Sequence, residues 1–114
     1  MHHPTEPFRA GEVELAALIA EATAAGRSLP PQRRLEQLDQ RLRVELQRLA
    51  AIVQAHADGM NRGGRDWYCR DWALGATRNA LRDPLATSVI PAAAHVAELG
   101  RLLGQLTGYV GKER

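Results

Sequence analysis

Between residues 32 and 58 the apolar positions Leu35, Leu38, Leu42, Leu46, Leu49, Ile52 or Val53, and Ala57 recur at steps of three and four. Those steps place them on one stripe of a helix with 3.6 residues per turn. The pattern predicts a long helix that runs to about Asp58 and is closed by Gly59. A second sustained seam lies towards the C-terminus, where Ala92, Val96, Leu99, Leu103, Leu106 and Val110 repeat at heptad-like spacing. It predicts a helix from about Ser88, with Pro91 in the first turn, where main-chain N–H groups have no helical acceptor. Beside this seam runs a ridge of small side chains, Ala93, Ala97, Gly100, Gly104 and Gly108. Each glycine costs about 1 kcal/mol relative to alanine inside a helix, so Gly100, Gly104 and Gly108 call for a compensating close contact. The expected neighbour is helix two of the same chain or helix four of a second chain.

The two other helices are written less plainly. Val13, Leu15, Leu18 and Ile19, with Ala16, Ala17 and Ala22, form a short amphipathic segment from Gly11 that is expected to stop at Gly26. Residues 1–10 contain two prolines and no period, and read as an extended or disordered lead. The third helix is expected to start with Asp66 as N-cap and to end at Arg82, before Asp83-Pro84. At about 100° per residue its apolar side chains split into two arcs. Cys69, Trp72, Ala73, Ala76 and Ala80 occupy one, and Trp67, Leu74 and Leu81 the other. On this wheel Trp72 is expected to be mostly buried, Trp67 less so, and Cys69 to be an inert buried thiol.

These segments, joined by short turns, predict an all-α protein: an antiparallel helical bundle of three long helices plus a shorter N-terminal helix. One domain over residues 11–110 would be flanked by the lead, 1–10, and a tail, 111–114. Composition agrees, because 19 alanines and 15 leucines accompany few β-branched residues. The seam of the fourth helix is interrupted by His95, Glu98, Arg101 and Gln105, so no membrane span is expected. The single cysteine and the absence of an apolar leader give a cytoplasmic expectation.

Chemistry is sparsely indicated. Residues 63–72 hold both tryptophans, Tyr68 and Cys69, which makes Trp67, Tyr68 and Trp72 candidates for interaction or for the rim of a ligand pocket. The histidines His2, His3, His56 and His95 and the lone cysteine form no metal-binding motif, although Met1-His2-His3 has the form of a terminal Cu(II) chelate. Cys69 has no histidine nearby in sequence, and Asp66 and Asp71 fall on different helix faces. No catalytic residue, cofactor site or metal site is therefore assigned. Arg62, Arg65, Arg70, Arg78 and Arg82 offer a basic segment for nucleic acid, but the net charge of +2 gives it little support. The leading expectation is a protein–protein interaction or accessory module that self-associates as a homodimer or serves a protein partner. Nucleic-acid regulation, and a small-ligand binder or enzyme with a pocket near Trp67 and Trp72, are the alternatives.

The block Arg62-Gly63-Gly64-Arg65-Asp66-Trp67-Tyr68, with Ala76-Thr77-Arg78-Asn79-Ala80-Leu81, His95-Val96-Ala97-Glu98-Leu99 and Tyr109, resembles a family of small helical proteins from actinobacteria. Most members of that family have no assigned activity. The resemblance spans roughly residues 35–110 and implies a compact helical domain associated with natural-product gene sets. It transfers no catalytic residue.

Overall fold

The computed structural model describes residues 6–112, with side chains for residues 11–111. Four helices follow in order: α1 (Glu6–Ser28), α2 (Gln32–Asp58), α3 (Arg65–Arg82) and α4 (Val89–Lys112). They form an all-α bundle, as the apolar periodicity predicts. The heptad-like seam explains the arrangement, because α4 packs against each of the other three helices. α1 lies on one side of it and α2 and α3 on the other, while α1 and α2 meet only sparingly. The result is a slab of 45 × 42 × 19 Å, about two helix diameters thick.

The α2 stripe of Leu35, Leu38, Leu42, Leu46, Leu49 and Val53 is buried, and so is the α4 set Ala92, Val96, Leu99, Leu103 and Leu106. Together with Leu102 of α4 and Leu18, Ala22 and Ala25 of α1 they make one continuous core. Burying a leucine contributes about 1.5–3 kcal/mol, so these two seams supply most of the apolar drive for folding.

Several boundaries differ from the sequence reading. α1 begins at Glu6, so residues 6–10 belong to a helix and not to the lead; Pro7 sits in the first turn, where its missing N–H has no helical acceptor. Residues 1–5, including the Met1-His2-His3 chelate, lie outside the described residues. With 23 residues α1 is not the short helix; that is α3, with 18. α1 also passes through Gly26 instead of stopping there, because Gly26 faces α4, where its Cβ would lie 3.5 Å from Ala97. The helix ends at Ser28, and Leu29 after it takes a left-handed φ of 48° and donates its N–H to Ala25 O at 2.9 Å. α4 continues to Lys112, two residues into the expected tail.

The glycine ridge packs within the chain, but against α1 and not α2. A Cβ at Gly100 would come within 2.7 Å of Ala22 Cβ, and within 3.2 Å of the Thr23 main-chain nitrogen. At Gly104 the nearest neighbour, Ile19 Cγ2, is an ordinary 3.6 Å away, and at Gly108 nothing lies within 4 Å. The close approach is thus focused on one glycine, and the ridge opens towards the C-terminal end of α4.

An ion pair crosses the α1–α2 seam, Arg34 Nη2 to Glu21 Oε1 at 2.6 Å, with a second bond from Nε to Oε2. The hydrogen bonds from Arg34 hold the Glu21 carboxyl below its ordinary range, against a smaller opposing effect of burial. A lowered carboxylate contributes stability that is present above the unfolded value and lost as pH falls through the folded one. The pair is exposed, so Glu21→Gln is expected to shift the neutral-pH unfolding midpoint only slightly. The same substitution should flatten part of the acid limb below about pH 4.5. A midpoint-versus-pH profile superimposable on the wild type would show the pair to be energetically silent.

A candidate docking face on the third helix

α3 follows a tight turn in which Gly63 has φ 88°, a backbone conformation that side chains other than glycine rarely adopt. Gly64, not Asp66, occupies the N-cap position, and Asp66 lies inside the first turn, where a carboxylate favours the helix dipole. The buried residues of α3 are Arg70, Ala73, Leu74 and Thr77, with Ala76, Ala80 and Leu81 half-buried beside them. This face runs between the two arcs read from the sequence. Arg70 and Thr77, polar by type, fill the gap that made one buried face look like two.

Both polar residues are accommodated locally. Thr77 donates its hydroxyl to Ala73 O at 2.9 Å. Arg70 donates from Nη1 to Asp66 O at 3.1 Å, and its guanidinium lies 4.8 Å from the Tyr109 ring centroid of α4. Stacking on the ring face lets a cation enter an apolar contact while keeping an electrostatic partner. Arg70 therefore leaves the proposed nucleic-acid set, and Tyr109 acquires a role that nothing in the sequence signalled.

With the helix rolled onto that face, the aromatics turn outward. Trp72 is 64% exposed and Tyr68 60%, which overturns the expectation of a buried Trp72. Trp67 is half-buried; it meets Tyr68 edge-on at 5.2 Å, and Arg62 lies 5.9 Å from its centroid. Cys69, expected inside, is exposed as well. Trp67 and Trp72, five residues apart, point about 140° away from each other around the axis, so they do not converge on one pocket. Tyr68 and Trp72 do share a face, with Gly75 and Asn79 continuing the same stripe. Arg62, Arg65, Arg78 and Arg82 are all exposed around it, together with Asp71. Because Trp72 rests on so little protein, Trp72→Ala is expected to change stability by less than about 1 kcal/mol in urea unfolding. A loss near the 3–5 kcal/mol of a buried ring would show that the ring packs inward.

A second polar assembly joins α2 to the far end of α3. Arg43 donates from Nε to both carboxylate oxygens of Asp39 at 3.0 Å, from Nη1 to Leu81 O at 2.9 Å, and from Nη2 to Asp83 O. Its Nη2 also lies 3.3 Å from His95 Nε2 on α4. Leu81 and Asp83 offer carbonyls at a helix end that lack helical donors, so Arg43 caps α3 from a neighbouring helix. Nothing in the sequence sets Arg43 apart from the other charges of α2, and His95 there only interrupts the apolar seam of α4. Only the i,i+4 spacing of Asp39 and Arg43 could have drawn attention to the pair.

Among the described residues no three His, Cys, Asp or Glu side chains gather as metal ligands, and no helix is long and apolar enough to cross a membrane. Two shallow depressions, of about 270 and 190 Å³, lie along α2 around Arg41 and Glu45, away from the aromatic residues. No curated protein and no solved structure matches the chain. One family model does, over residues 13–114, and so takes in most of α1, which the resemblance read from the sequence left out. The chain belongs to that family, described as a family of unknown function (DUF6415).

Proposed function

We propose that this protein is a helical interaction module whose docking surface is the outward face of α3. The observation that carries this reading is the joint exposure of Tyr68 and Trp72, one turn apart on a rigid helix. Tryptophan, tyrosine and arginine dominate the energetics of protein interfaces, because large rings remove much area from water at low entropic cost. Here both rings stand in water with arginines on either side. Nothing among the described residues covers them.

Nucleic acid is the second reading, since four exposed arginines around two exposed rings also describe a stacking platform for single strands. The two separate on contact chemistry. A photo-crosslinking side chain introduced as Tyr68→p-benzoylphenylalanine, compared in cells with the same group at the exposed Ala94 of α4, reads out what touches the face. Protein adducts specific to position 68 support the docking reading. Nucleic-acid adducts transfer the face to the second reading, and the same weak labelling at both positions overturns both.

A further inference from the structure

The docking face has the pattern of a surface that fits itself. The charges on its left flank, viewed from outside with the N-terminus of α3 down, run from Asp71 in the N-terminal half to Arg78 in the C-terminal half. Both lie on the same side of the Tyr68–Trp72 stripe, about 60–80° from Tyr68 around the axis. When two copies of a helix pack face to face and antiparallel about a two-fold axis, each flank meets the same flank of the other copy, with its direction reversed. An axis crossing α3 near Leu74 and Gly75 then sets Asp71 of each copy beside Arg78 of the other, twice.

The same register addresses the rings. Gly75 lies on the stripe one turn beyond Trp72, and a Cβ built there would meet only Arg78 Nη2, at 3.9 Å. It leaves a gap in the surface, about 4.5 Å along the axis from Trp72. With the axis between positions 74 and 75, Trp72 of one copy stands about 3 Å along the axis from Gly75 of the other, so each ring enters the interface beside the gap in the facing helix. Arg65 and Arg82 fall on opposite flanks of the stripe, so the two arginine-bearing ends are not driven against each other.

We infer that the occupant of the α3 face is a second copy of this chain, paired antiparallel through α3, with Trp72 packed in the interface beside the partner's Gly75 and Asp71 exchanged with the partner's Arg78. This inference rests on the docking reading above. Its test is sedimentation velocity and equilibrium on the purified full chain. The wild type is expected to dimerise at micromolar concentration, and Trp72→Ala to raise the dimer dissociation constant by at least about tenfold. Asp71→Arg should weaken the dimer by a similar factor, since it places like charges together twice, and Asp71→Arg combined with Arg78→Asp should recover most of the loss. Circular dichroism confirms that each variant is folded, which exposure of all three side chains favours. A wild type that remains monomeric overturns the inference, as does a dimer indifferent to Trp72→Ala or a charge swap that restores nothing. A monomeric wild type that still gives protein adducts at position 68 leaves the docking face standing and removes only the second copy as its occupant.

Discussion

Gly100→Leu is expected to destabilise the bundle by about 2–3 kcal/mol and to lower Tm by about 10 °C. Even a β-carbon at this position would stand 2.7 Å from Ala22 Cβ and 3.2 Å from the Thr23 nitrogen. The second of these is main chain and cannot rotate away. α1 would have to move off α4 as a unit, which strips contacts from Ala22 and Ala25, both fully buried. The gain in helix propensity, about 1 kcal/mol for replacing glycine, is smaller than the strain. At the open end of the same ridge the balance inverts, because Gly108 has no neighbour within 4 Å and Gly108→Ala should stabilise by up to about 1 kcal/mol. Gly104→Ala adds one methyl at ordinary contact distance from Ile19 and should be neutral or mildly stabilising. Thermal or urea unfolding of the three variants checks the gradient. Responses of one sign at Gly100 and Gly108 would show that α1 does not approach α4 where the geometry places it.

That gradient also marks how far periodicity reaches. The small ridge was legible as a close approach, since three glycines in a helix interior need a reason, but the partner helix was not. Spacing along α4 defines a face; which neighbour covers it depends on how the chain returns, and α1 was read only as a short segment ending at Gly26. The long seams of α2 and α4 were legible because each buried position is apolar and the period persists over several turns. α3 was misread for the converse reason. Its buried face has an arginine and a threonine at its centre, and residue type was weighed above angle. A wheel centred on Arg70 and Thr77 turns Trp72 and Cys69 outward, but nothing short of the Tyr109 ring on α4 explains why an arginine belongs inside. The candidate site shared that fate: Trp67, Tyr68 and Trp72 were singled out by residue type, and type alone does not tell that Tyr68 and Trp72 lie on the solvent side of α3 with Trp67 turned away from them.

The Arg43 assembly was the least visible feature, and its removal is the other large effect expected. Arg43→Ala should cost about 2–4 kcal/mol, because three separate groups lose their partner together. Asp39, 8% exposed, would keep a carboxylate in a nearly dry site, and the carbonyls of Leu81 and Asp83 would lose the donors that finish α3. Arg43→Lys retains the charge but not the planar fork that reaches the carboxylate and the carbonyls at once, and should recover less than half of the loss. The carboxylate's share is separable. Adding Asp39→Asn to Arg43→Ala removes the stranded charge, so the double variant should be more stable than Arg43→Ala alone by about 1–2 kcal/mol. Asp39→Asn by itself should be destabilising, since Arg43 then loses its ionic partner. A cycle of these variants in urea unfolding is decisive: strictly additive effects would mean that Arg43 and Asp39 do not act on each other, and an Arg43→Ala change that costs nothing in the Asp39→Asn background would mean that the end of α3 is held without the help of a cap supplied by α2.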